Sequence, residues 1–317
     1  MGIGSKHRKP TGVVVAIAAA TVVSTAWAQS LPDIEDSITQ GSQIDEVIRG
    51  QERLNRQLEA GSNEIDGEAG IYVLTQNKIF IAGASAGAGY SGNPVRTTDD
   101  EGGSFFGNFA TTAGVQTILG ETVDFGARVN FSGIQYIEKF APSSRNVNGV
   151  ANFGMPIQGT PLYASVSGFG GVNFDDSFDD GTAFYGTSLS MSAAFQVDDR
   201  TVSGMNLGVA RQWNENEDNN SVSASLGANI GRAIASRWSV GASARASRTW
   251  YDDFFEDVTF VSREDWTYGG SVSVRFQAHE LVTILASGGY EKRDSTFFLS
   301  EYDSVDTSLL VSASLTY

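Results

Sequence analysis

Residues 305–317 read VDTSLLVSASLTY. Leu309, Val311, Ala313, Leu315 and Tyr317 share one phase of a two-residue period, and Leu310, Ser312, Ser314 and Thr316 share the other. A β-strand turns successive side chains to opposite faces, so this segment reads as a strand with an apolar face backed by a small, mostly polar one. The same grammar runs back through the chain. Phe80, Ala82, Ala84, Ala86, Ala88 and Tyr90 alternate with Gly83, Ser85, Gly87 and Gly89. Val123, Phe125, Ala127, Val129 and Phe131 alternate with Asp124, Gly126, Arg128 and Asn130. Leu189 to Val197, Val222 to Ile230 and Trp266 to Phe276 repeat the pattern.

An apolar sheet face covers either the core of a β-sandwich or the acyl chains around a closed barrel. Two features select the barrel. Aromatic residues bracket the apolar phase, Phe80 with Tyr90 and Trp238 with Trp250, as in the two interfacial girdles of membrane barrels. The breaks between strands also alternate in length. Short ones fall at Gly120-Glu121, Pro156 to Pro161, Asp198 to Thr201, Ala235 to Arg237 and His279-Glu280, with longer polar ones between them. Pro94, Pro142, Pro156 and Pro161 all lie in breaks, where the missing N–H interrupts no ladder. The spacing predicts an all-β fold, an antiparallel transmembrane barrel of about twelve strands. The strands are expected at 79–91, 104–118, 122–133, 146–155, 162–174, 184–197, 202–213, 221–233, 238–250, 266–278, 282–291 and 305–317, the fourth being weakest because Val150 interrupts its polar phase.

The opposite end of the chain reads as a secretory leader. Lys6, Arg8 and Lys9 precede the apolar run Val13 to Val23, and Ala26-Trp27-Ala28 places cleavage after Ala28. Losing the three basic residues takes the net charge from −16 to −19, which argues against a nucleic-acid partner. The chain has no Cys, so neither disulfides nor thiolate metal sites are available. Residues 29–77 form a polar arm. Ser42 and Asp45 make a capping pattern, Ile44, Val47, Ile48, Leu54 and Leu58 share a face, and Gly61 is placed to end a short amphipathic helix. The domain plan is a leader over 1–28, an arm with a helix over 29–77 and a barrel over 78–317. The arm is expected to plug the bore, to dock a periplasmic partner or to lie against the barrel mouth.

The C-terminal strand and the alternation from Lys78 onward resemble bacterial outer-membrane β-barrel proteins, whose last aromatic residue is read by the barrel-assembly machinery. The resemblance implies an assembly signal at Leu315 and Tyr317, residence in the outer membrane with both barrel ends of the chain facing the periplasm, and contact with outer-membrane lipid and lipopolysaccharide. A helix followed by about twelve strands is also similar to autotransporter translocator domains, although residues 29–77 leave no visible passenger.

Candidate functional residues follow from phase. Arg128, Asn130, Arg245 and Arg275 fall on the polar face, with Asp124 and Glu291 as counter-charges. They line a hydrophilic pore tuned by arginines, or they form a salt-bridge network that braces the wall; a buried charge needs a partner in either case. Arg211, Arg248 and Lys292 fall on the apolar face beside Trp213, Trp250 and Tyr290. They are placed to meet lipopolysaccharide phosphates or simply to snorkel to the headgroups. Asp175 to Gly181 superficially matches a calcium loop, but its glycine is displaced and Gly186 stands at the twelfth position, so no metal or cofactor is expected. His279 is the one histidine after the leader and lies in a short break, which disfavours a Ser–His hydrolase. The expected function is a passive, porin-like channel for small polar solutes. The alternatives are a structural or adhesive surface barrel with acidic loops, and an accessory barrel of an envelope export or assembly system.

Overall fold

The computed structural model describes residues 79–316 apart from 96–101, 120–122, 139–142, 158–159, 175–180, 216–218, 253, 257–258, 262, 280 and 298–299. The leader with Ala26 and Ala28, the arm with its expected helix, the acidic stretch 175–180 and Tyr317 lie outside the described residues.

The strands are β1 (Ile79–Ser91), β2 (Ser104–Leu119), β3 (Val123–Tyr136), β4 (Ser144–Pro156), β5 (Leu162–Phe174), β6 (Gly181–Asp198), β7 (Thr201–Asn214), β8 (Ser221–Ala235), β9 (Trp238–Tyr251), β10 (Phe254–Glu256), β11 (Thr259–Val261), β12 (Glu264–His279), β13 (Val282–Ser295) and β14 (Tyr302–Thr316). Twelve of them close into one antiparallel barrel, while β10 and β11 form a small hairpin inside the β9–β12 connection. β1 seals the wall against β14, from Ile81 opposite Thr316 to Ser91 opposite Asp306. Closure leaves no open edge, which is what lets a sheet satisfy its backbone groups in lipid.

All twelve predicted wall strands form. β4 forms despite Val150, which sits in register between Arg128 of β3 and Phe169 of β5. The bounds that moved by three residues or more did so at the long-loop end: β3 runs to Tyr136, β6 starts at Gly181, β13 runs to Ser295 and β14 starts at Tyr302. There the ladder continues past the apolar band, with Lys292, Asp294 and Asp303 taking the outward positions.

The register fixes the size of the barrel. A path perpendicular to the strands runs from Ile79, at the short-turn end, through Gln116, Gly126, Asn152, Ser167 and Ser188. It continues through Ala210, Ser223, Thr249 and Asp265 to Ser295, at the long-loop end. Continuing the β13–β14 and β14–β1 registers returns it to the level of residue 97, a shear of 18 residues. With a rise near 3.3 Å and strands near 4.8 Å apart, that shear gives a tilt of about 45° and a Cα radius of about 13 Å. On β9 the span from Trp238 to Trp250 then covers roughly 28 Å of height, close to the apolar band of an outer-membrane barrel.

The outward phase is apolar and exposed, including Val129, Leu189, Leu207, Leu226, Val272 and Leu309. The inward phase is mainly Gly, Ser, Thr and Asn, but it also carries Phe106, Ile134, Tyr136, Phe184, Leu285 and Leu310, all buried. Glycine has a specific use at Gly154, where a Cβ would stand 2.1 Å from Tyr163 Oη and 2.5 Å from its Cζ. The bare backbone is the surface on which the Tyr163 ring lies.

Candidate pore lining and outer rim

Two unlike arcs face the lumen. On β2–β5 the lining is a chain of amides. Thr112 Oγ1 donates to Asn130 Oδ1 at 2.7 Å, and Asn130 Nδ2 donates to Asn148 Oδ1 at 2.7 Å. Asn148 continues to Asn146, and Asn146 to Asn173. Each step crosses to a neighbouring strand or along one, so a single polar chain ties four strands together. Toward the long-loop end this arc turns apolar, with Phe106 and Tyr136 packed edge to face at 5.8 Å beside Ile134.

On β9, β12, β13 and β14 the lining is charged. Glu291, 1% exposed, accepts hydrogen bonds from Arg245 and from the Tyr302 hydroxyl. Arg245 and Glu291 sit on β9 and β13, two strands apart, each in register with Gly269 of the intervening β12. Without a side chain at Gly269, the guanidinium reaches across the middle strand. A second group lies nearer the loops. Arg263 donates to Asp265 from Nε at 3.1 Å and from Nη2 at 2.7 Å, and Arg293 Nη1 lies 3.9 Å from the same carboxylate. Arg263 stacks over Tyr251 at 4.2 Å and Arg293 over Tyr302 at 5.0 Å. Asp265, Arg263 and Arg293 are all buried, so these are fully engaged pairs and not solvated surface charges.

Serine pairs bridge neighbouring strands near mid-height: Ser165 of β5 with Ser190 of β6 at 2.7 Å, Ser243 of β9 with Ser271 of β12 at 2.9 Å, and Ser287 of β13 with Ser308 of β14 at 2.7 Å. Near the short-turn end Tyr163 Oη donates to Asp124 Oδ2 at 2.8 Å. Asn108 Oδ1 and Gln212 Oε1 are buried on the inward phase with no hydrogen-bond partner among the described residues. Buried acceptors of this kind are satisfied by water or by a polar solute.

The sequence candidates distribute as follows. Arg245 and Glu291 meet directly. Asn130 is the hub of the amide chain. Asp124 meets a tyrosine hydroxyl. Arg128 and Arg275 take inward-phase positions on β3 and β12, in register with Val150 and Leu285. The second charged group escaped sequence reading. The signal was the parity: Asp265 continues the phase of Thr267, and Arg293 continues that of Glu291, once the strands are allowed two more residues. His279 ends β12 in a short turn, where its Nδ1 accepts from the Leu281 amide at 3.3 Å.

On the outer surface each of the three cations has a carboxylate and an aromatic ring. Arg211 Nη1 donates to Asp252 Oδ1 at 2.8 Å and lies 5.5 Å from the Trp213 ring. Arg248 Nε donates to Glu264 Oε1 at 2.6 Å and sits between Trp250 at 4.9 Å and Trp266 at 5.0 Å. Lys292 lies 2.9 Å from Asp294 and 5.9 Å from the Tyr268 ring, whose hydroxyl donates to Asp294 at 2.6 Å.

No protein-family model matches the chain, and no curated protein matches it in sequence. Solved structures do match in fold. An outer-membrane channel from Pseudomonas putida F1 superposes with a TM-score of 0.54 at 8% identity, over 79% of this chain and 100% of that one. The β domain of the Bordetella autotransporter BrkA is similar at a TM-score of 0.42 and 12% identity, over 74% of this chain and 99% of that one. The fold is therefore that of the outer-membrane β-barrels: a closed, twelve-stranded antiparallel barrel, apolar outside and polar within.

Proposed function

We propose that this protein is an outer-membrane channel for small polar solutes, exported by cleavage after Ala28, with residues 29–77 and both barrel ends of the chain in the periplasm. The observation that carries the reading is the lining. A wall of about 13 Å radius faced mainly by glycine, serine, threonine and asparagine is too wide for those side chains to fill, so water occupies what they leave. The acceptors of Asn108 and Gln212, without a partner among the described residues, support a hydrated interior. The charged groups on β9 and β12–β14 narrow one side and bring fixed charge to the path.

Planar-bilayer recording tests the reading. The folded protein is expected to give discrete, ohmic conductance steps, and Ser243→Trp with Ser273→Trp, which add bulk to the lumen, is expected to cut the step size by half or more. Folded, heat-modifiable barrels that insert and never conduct would overturn it.

A further inference from the structure

We propose that the outer rim of β7, β9 and β13 binds the phosphate groups of a membrane glycolipid through Arg211, Arg248 and Lys292. The inference rests on the outer-membrane reading, and it assigns a ligand to a surface that transport does not use.

The three cations stand at one level. A shear of 18 over twelve strands is 1.5 residues per strand, so level positions two strands apart differ by three residues from the perpendicular register. From Arg211 that register leads through Val222 to Trp250, and three residues back lies within one residue of Arg248. From Arg248 it leads through Trp266 to Asp294, and three residues back lies within one residue of Lys292. With strands about 4.8 Å apart and tilted near 45°, neighbouring cations are roughly 14 Å apart along the rim. The row is one-sided. At the corresponding end of β1–β6 the outward phase holds Tyr90, Phe105, Gln135 and Tyr185, with Arg145 the one basic residue among those described.

Each cation is also held at headgroup depth. Arg248 is clamped between two indole rings, Arg211 lies against Trp213 and Lys292 against Tyr268. Such amphipathic rings settle where apolar chains meet polar headgroups. The carboxylates Asp252, Glu264 and Asp294 lie further toward the long-loop end. Partly exposed ion pairs of this kind are weak and exchange readily, whereas a phosphate brings more charge and three acceptor oxygens. A phosphate arriving from the membrane side therefore meets the cations before it meets the acids.

The full chain, folded in a non-ionic detergent, would be titrated with diphosphoryl lipid A and with the same lipid after enzymatic removal of both phosphates, and bound lipid read by native mass spectrometry. The phosphorylated form is expected to bind at least tenfold more tightly. In the Arg211→Gln, Arg248→Gln, Lys292→Gln triple variant that preference should vanish, while Asp252→Asn with Asp294→Asn should keep it. Equal binding of the two lipids by the unmodified protein would overturn the proposal, as would a folded triple variant that keeps the preference. If the triple variant does not fold, the comparison of the two lipids alone decides. Membrane fractionation tests the location separately, so a barrel that resides in the outer membrane yet ignores the phosphates counts against this site alone.

Discussion

Replacing Glu291 with alanine should cost about 3 kcal/mol, and most of that cost should disappear when Arg245 is already absent. A carboxylate that is 1% exposed joins three strands, because it accepts from Arg245 on β9 and Tyr302 on β14 while standing on β13. Removing one partner of a fully buried ion pair costs roughly 3–5 kcal/mol, because the other charge is left stranded. The Arg245 side chain is 26% exposed, so lumen water recovers part of that penalty and leaves about 2 kcal/mol. The lost bond from Tyr302 adds about 1 kcal/mol. Equilibrium unfolding in urea with lipid vesicles, followed by tryptophan fluorescence, measures the single variants and the double. The expected coupling between Glu291→Ala and Arg245→Ala is about 2 kcal/mol, above the threshold at which contacting residues depart from additivity. A Glu291→Ala variant as stable as the parent, or one whose cost is unchanged in the Arg245→Ala background, would refute the bridging role and place the carboxylate among ordinary hydrated charges.

Two further substitutions probe the wall. Gly154→Val should destabilise the barrel by about 1–3 kcal/mol, since the new side chain would occupy the space of the Tyr163 ring; the same unfolding assay should show most of the loss removed in a Tyr163→Ala background, and an unrescued loss would point to backbone strain instead. Leu309→Arg puts a charge on an outward position that is 55% exposed and near mid-height of β14, and should lower folding free energy by about 2–4 kcal/mol. Ser308→Arg, one residue away and facing the lumen, should cost less than half as much, and equal costs would contradict the assignment of faces.

The strands were legible because lipid constrains every second residue. Outward positions from Phe80 to Leu309 must be apolar, so each strand announces its phase without help from its neighbours. The ends were less legible, since beyond the aromatic girdle that constraint lapses while the hydrogen-bond ladder continues. Arg293 and Asp265 look like loop charges in sequence for this reason, and turn out to be buried lining. The partnership of Arg245 with Glu291 was half visible. Both fall in the polar phase, but their meeting depends on a register across β12 that puts Gly269 between them. No local pattern carries a register; it emerges when turn lengths and twelve pairings are satisfied together.

The same register explains why charge is concentrated on one arc. At a Cα radius of about 13 Å, an inward arginine reaches roughly halfway to the axis, so no single side chain spans the lumen. Buried guanidinium groups must then find carboxylates along their own arc, within one or two strands. Arg245, Arg263 and Arg293 do so with Glu291 and Asp265. The amide arc solves the same problem without charge, because a carboxamide can both donate and accept: Asn130, Asn148 and Asn146 each do so, and Asn173 accepts at the end of the chain. A lumen with ion pairs on one side and amides on the other carries a transverse asymmetry of charge. In the channel proposed above, solutes would be oriented by that field as well as sieved by size.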